Sequence, residues 1–278
     1  MSSDTYVLIR DAAEAQRLER QYRAWQMNIG YLLHPAIEKH VKMRIADIGT
    51  GTAIWLRDLS GVLPETCQLH GFDISDIMFP NRAAMRANIS LYKHNLLDAF
   101  PEKFIGMYDV VHVRLMIVAL SFDQWEPAVR NLITLLRPGG YLQWADCAGH
   151  ETTVKDAAGE ITPSHAQHYL DLFNMTANAF GKTPNVAALY GIFHANNLQD
   201  CEEQIYPLVN PAAREDLNLA VLEGIQHVLI AGINLGPLDW IKSKDEILEA
   251  RKAATDDLQR FQGWFSYNVH IVTGRKAR

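Results

Sequence analysis

Cysteine is scarce in this chain: Cys67, Cys147 and Cys201 are the three in 278 residues, widely spaced and odd in number. They offer neither a disulfide framework nor a zinc pattern and suit a reducing compartment. Positive charge is short as well. Lys and Arg total 26 against 32 Asp and Glu, a net charge of −6, which argues against a nucleic-acid partner. The longest basic run, Arg275-Lys276-Ala-Arg278, reads as a solvated tail. No apolar run reaches the length needed to span a bilayer, so no membrane partner is expected. The opening Met-Ser-Ser-Asp-Thr lacks the basic and apolar blocks of a signal peptide, and a cytoplasmic location is expected. His165 and His168 lie three apart without an acidic partner at matching spacing, so no metal site is expected.

What is present is a hydrophobic content of 48%, enough for a large core, and a glycine turn near residue 50. Residues 44 to 55 read as a short apolar strand, an acid near its end, then Gly49-Thr-Gly51 opening a helix. The first glycine permits a tight turn and the second lets a ligand approach backbone that a side chain would block. A second strand, Cys67 to Phe72, ends in Asp73, about 20 residues beyond, where a carboxylate can accept hydrogen bonds from ribose hydroxyls.

Two familiar phosphate-binding solutions are missing. The dinucleotide fingerprint requires a third small residue where this chain has Ile54, and there is no Gly-Lys-Ser/Thr ending. Asp47, in the mouth of the loop, is awkward beside a pyrophosphate but suits a cationic ligand. S-adenosyl-L-methionine (SAM), with an ammonium, a sulfonium and no phosphate, fits these residues better than NAD.

Asp47-Ile-Gly-Thr-Gly-Thr52 resembles motif I of the class I SAM-dependent methyltransferases, and Gly71-Phe-Asp73-Ile-Ser75 resembles their second motif. Tyr92-Lys-His-Asn95-Leu-Leu-Asp98 resembles the third, with Asn95 where that family usually has an acid. Tyr108 to Arg114 resembles the fourth strand, and Leu136 to Leu142 the turn before the fifth. Gln21 to Pro35 and Thr273-Gly-Arg-Lys276 are similar to fungal secondary-metabolism methyltransferases. The resemblance implies SAM as cofactor, released as S-adenosyl-L-homocysteine. It also implies that Asp47 holds the methionine ammonium and that Gly49, Thr50 and Gly51 give backbone approach. Asp73 and Ile74 would meet the ribose, Asn95 and Leu96 the adenine, and Val113 the same crevice.

Strands and helices alternate from 44 to 147, which implies a parallel sheet with helices on both faces. With the resemblance, the expected fold is α/β: a Rossmann-like, seven-stranded, mostly parallel sheet, with N-terminal and inserted helices forming a lid. Residues 1–41 are read as a helical cap, 42–147 as the SAM-binding core, and 148–278 as helical insertions carrying the last strands. Ala13, Leu18, Tyr22 and Trp25 share a face of a helix over 11–27, and a short helix is expected from Pro35 to His40. Ala148 to Pro163 reads as an exposed loop, followed by helices at 164–180 and 184–196. A sixth strand is expected at 201–208, then a long apolar helix from Asn210-Pro211 to Ile233. A capping box at Ser243-x-x-Glu246 and an antiparallel last strand from Tyr267 to Thr273 follow.

Methyl transfer asks for alignment, dryness and sometimes a base. Positioning alone can supply on the order of 7–11 kcal/mol. His112, near the end of the fourth strand, and His150, past the fifth, are the candidate bases, against the plainer reading of hydrogen-bonded structural histidines. Asp146 could orient either or simply cap the strand end. Arg114 suits an acceptor carboxylate, the SAM carboxylate or a structural salt bridge. Tyr22, Tyr31, Phe173 and Tyr190 are the candidate acceptor-binding aromatics, with Trp25 read as core packing of its helix and Phe193 as core or pocket wall. The expected activity is methyl transfer to oxygen or nitrogen of a small apolar or aromatic metabolite. A SAM-binding regulatory subunit, or a cyclase or rearrangement enzyme on the same fold, carries the same motifs.

Overall fold

The computed structural model describes residues 10–161, 164–182 and 186–278. Its first element, helix α1 (Ala12–Ile29), begins at Asp11, whose side chain accepts the Glu14 N–H, and ends at Gly30. The core then alternates: β1 (Arg44–Ile48), α2 (Ile54–Val62), β2 (Gln68–Asp73), β3 (Ile89–Lys93), β4 (Tyr108–Arg114), α3 (Trp125–Leu135) and β5 (Leu136–Cys147). Next come β6 (Thr153–Lys155), α4 (His165–Ala179), α5 (Ala187–Ala195), β7 (Gln199–Pro207), α6 (Arg214–Leu235), α7 (Lys244–Arg260), β8 (Trp264–Ser266) and β9 (Asn268–Arg275).

Seven strands form one sheet in the order β3-β2-β1-β4-β5-β9-β7. The pairings from β3 through β5 are parallel, and β9 runs antiparallel to both neighbours. The order reverses between β1 and β4, so a crevice opens at their carboxyl ends. Strand alternation separates two cores. Ala46, Ile48, Val111 and Val113 face the α3 side with Trp125 and Trp144. Ile45, Leu69 and Val110 face the α2 side with Trp55 and Leu56.

A third core joins α4, α6 and α7 with β6 and β8. Pro211–Leu235 is long and apolar enough, by length and composition, to cross a membrane, contrary to the expectation that no run reaches that length. The segment packs against α1, α4 and α7 and β8, so apolar residues are needed on several of its faces.

Three local expectations change. Pro35 to His40 forms a turn closed by Ile37 N–H on the His34 carbonyl, not a helix; six residues are too few to repay helix nucleation. The 148–161 stretch carries a 3-10 turn and β6, which pairs antiparallel with β8 and buries Val154; Thr162-Pro163 and Pro184 lie outside the described residues. On α1, Ala13 is exposed, and the buried face instead includes Glu14, Arg17 and Gln21 beside Tyr22 and Trp25.

Candidate functional site

A cavity of about 410 Å³ lies at the carboxyl ends of β1, β2 and β4. Its floor is the turn after β1. Gly49 and Thr50 both donate their N–H to the Phe72 carbonyl, at 2.8 and 3.0 Å, which folds the turn onto β2. Gly49 has φ +68°, and a Cβ there would stand 2.1 Å from Met116 Cε. Gly51 has φ +52° and donates its N–H to Asp73 Oδ2 at 2.9 Å. Left-handed backbone and close approach are both glycine properties, so the motif's spacing follows from this turn.

Asp73 also accepts the Ser75 N–H on Oδ1 at 3.0 Å. A carboxylate has about four acceptor positions, so capacity remains for ribose hydroxyls. Burial pushes the carboxyl above its ordinary 3.8, against the lowering effect of the Ser75 and Gly51 N–H groups and the Arg10 charge. Further along the wall come Ile74, Asn95, Leu96 and Leu97. Asn95 Oδ1 accepts the Leu97 N–H at 3.1 Å, bending the chain there around the cavity.

Asp47, expected at the methionine ammonium, does not line this cavity. It is buried, and its oxygens accept from Thr50 Oγ1 at 2.6 Å and meet His112 Nδ1 at 2.8 Å. Asp47 thus fixes the turn through Thr50. His112 is its cross-strand neighbour on β4 and points to the α2 side, the side opposite Val111 and Val113. Its ring stacks on Trp55 at 3.8 Å and 6°. Burial holds its pKa below 6.5 despite the Asp47 carboxylate, so the ring is neutral near pH 7, and it lines neither cavity described here. That placement matches the plainer reading of a hydrogen-bonded structural histidine. Val113 is likewise fully buried, and Arg114, Leu115 and Met116 take its place at the wall.

The Leu115–Ile117 turn is held by Asp146, whose Oδ2 accepts from Met116 N–H at 2.8 Å and Trp144 Nε1 at 3.1 Å, and whose Oδ1 accepts the Cys147 N–H. Leu115 sits at φ 56°, a conformation that costs a branched residue roughly 1–3 kcal/mol. Burial raises the Asp146 carboxyl to about 6, against these N–H donors.

Leu18 and Leu115 line both this cavity and a second one of about 120 Å³. The second lies among α1, α4 and α6, with Phe173, Leu170, Val221, Ile225 and Val228 on its apolar walls. Arg17, Gln21, Thr152, Cys147 and Tyr267 are its polar members. Arg17 pairs with buried Glu14 at 2.7 Å and reaches Gln21 Oε1 at 3.1 Å; His227 meets the other Glu14 oxygen at 3.0 Å. Burial would raise the Glu14 carboxyl, but the Arg17 and His227 hydrogen bonds hold it below its ordinary value.

Of the four candidate aromatics, Phe173 lines the second cavity, and the other three line neither of these two. Tyr22 is buried under α1, with its hydroxyl on Asp58 at 2.7 Å. Tyr31 packs edge-on against His34 and Tyr206, and Tyr190 is exposed beside His194. Trp25 and Phe193 are core. His150 is exposed on its 3-10 turn, off both cavities. Sequence reasoning missed Leu18, Leu115 and Met116; the last two directly follow β4 at the switch point, which was the available signal. Among the described residues no cluster of metal ligands occurs.

Comparison with known proteins agrees with this geometry. A family model described as a methyltransferase domain matches residues 46–142, from β1 into β5. The methyltransferase grgD of a Penicillium species is 30% identical over 98% of this chain and 96% of its own length. The N-methyltransferase tcpN of Claviceps purpurea is 34% identical over 48% of this chain and 49% of its own. Among solved structures, phosphoethanolamine N-methyltransferase 2 of Haemonchus contortus, bound to S-adenosylhomocysteine, aligns with a TM-score of 0.58 at 14% identity. That alignment covers all of this chain and 61% of the nematode chain, and it speaks to the fold. With near full-length similarity to a fungal methyltransferase and a glycine turn, Asp73 and crevice that fit SAM, the chain belongs to the class I SAM-dependent methyltransferases.

Proposed function

We propose that this methyltransferase acts on a nitrogen of a small, largely apolar metabolite held in the second cavity, among α1, α4 and α6. When bound, SAM supplies an electrophilic methyl on a sulfonium. Leu18 and Leu115, common to both cavities, would flank the path between donor and acceptor and keep water from it. Gln21, Thr152 and the Tyr267 hydroxyl can orient the acceptor by hydrogen bonds, while Phe173, Val221 and Ile225 match apolar surface.

The observation that carries the choice of nitrogen is the titration state of this wall. No carboxylate or imidazole is among the described residues that line it. Burial raises the Tyr267 hydroxyl and the Cys147 thiol above their ordinary values, so both stay protonated near pH 7. Such a wall supports an acceptor that is nucleophilic while neutral, as an amine is; its surplus proton leaves to solvent after transfer. The name of the Claviceps relative, an N-methyltransferase, points the same way. Free Cys67, Cys147 and Cys201 support a cytoplasmic setting.

The test uses matched amine and phenol acceptors of one apolar skeleton with methyl-labelled SAM at neutral pH. Label should enter the amine, and Val221→Phe, which narrows the second cavity, should cut transfer at least tenfold while S-adenosylhomocysteine binding stays unchanged. Comparable labelling of the phenol, or undiminished transfer in Val221→Phe, would contradict the proposal.

A further inference from the structure

Arg114 ends β4 and lines the large cavity, yet its guanidinium makes no hydrogen bond or ion pair with any described residue. Nη1 is buried and without a partner. A buried guanidinium N–H without a partner is costly, and here it belongs to a half-buried side chain that borders the cavity. The group is also fixed in place: its carbon lies 4.6 Å from the Tyr22 ring centroid, and the Tyr22 hydroxyl is anchored on Asp58. The two nearby acids are engaged elsewhere, Asp58 by Tyr22 and Asp47 by Thr50 and His112.

We infer that Arg114 is the binding site for the α-carboxylate of the methionine end of SAM. The charges of the cofactor leave one complement: its sulfonium and ammonium are cations that a guanidinium repels, its adenine and ribose are neutral, and the carboxylate alone is anionic. A planar guanidinium with free N–H groups matches a carboxylate in shape as well as in sign. The placement agrees, because Asp73 and Arg114 end the strands on either side of β1. Ribose at one edge and carboxylate at the other set the direction of the cofactor across the glycine turn. Arg114 does not line the second cavity, which separates it from the acceptor.

The test is calorimetric titration of wild type, Arg114→Met and Arg114→Lys with SAM and with decarboxylated SAM, which keeps adenine, ribose, sulfonium and amine. Wild type should prefer SAM by roughly 10- to 100-fold, the range for hydrogen bonds to a charged group. Arg114→Met should lose that preference by weakening SAM alone, and Arg114→Lys should keep part of it. An unchanged preference in Arg114→Met, or equal weakening of both ligands as a structural role would produce, overturns the inference. So does a wild type that binds the two alike.

Discussion

His112 shows what one step along a strand decides. Val111 and Val113 face α3, so His112 faces α2, where Trp55 covers its ring and Asp47 takes its Nδ1. Its pKa is depressed by burial below 6.5. As pH falls below 6.5, the unfolded chain binds this proton before the folded one does. The contribution of His112 is therefore fully present above 6.5 and is lost as pH falls towards its folded pKa. His112→Asn keeps a donor for Asp47 and cannot titrate. Thermal unfolding should show that the stability of wild type relative to this variant shrinks on going from about pH 7 to about pH 5. Removing a true base would cost on the order of 10²–10⁴ in rate; this variant should lose far less, and a loss of that size would restore His112 as the base.

At the scale of elements, the turn after β4 forms wall in both cavities. Leu115 and Met116 line the large cavity, Leu115 and Ile117 the small one; Asp146 on β5 accepts the Met116 and Ile117 N–H groups, and the Ala145 carbonyl accepts that of Leu115. Protonation of Asp146, whose carboxyl lies at about 6, puts a hydrogen on an oxygen that now accepts one. Turnover should thus fall as pH drops through about 6. Asp146→Asn should be slower at neutral pH by up to about 10²-fold, the cost of misplacing a reacting group by an ångström, and should lose that pH step. An Asn variant with the wild-type profile would show that the turn does not depend on the carboxylate.

The same turn marks what a sequence displays and what it hides. The placement of Gly49, Gly51 and Asp73 at one turn is legible because a strand, a tight turn and a spacing set it: the glycines take left-handed backbone, and the Asp73 carboxylate meets the Gly51 N–H. The last strand is legible because apolar and polar residue types alternate from Tyr267 to Thr273, although β9 itself is buried on both faces. Tyr22, Tyr31 and Tyr190 are not, since helix periodicity reports that a face is buried and not against what; Tyr22 lies in the α2-side core and Tyr190 in the open. Asp47 misleads for a related reason: its position at the loop mouth is readable, whereas its pairing with His112 needs the neighbouring strand.

At the scale of the whole molecule, two cavities have Leu18 and Leu115 in common, one built by the sheet and its glycine turn, the other by helices α1, α4 and α6. In the proposed function helices α1, α4 and α6 hold the acceptor, and the buried Glu14, Arg17 and His227 cluster ties α1 to α6 beside that cavity. The crystal structure with S-adenosylhomocysteine bound tests this most directly. It should show the ribose hydroxyls on Asp73, the methionine carboxylate on Arg114 and the sulfur facing the Leu18–Leu115 junction. A ribose away from Asp73, or a sulfur turned from that junction, would contradict it.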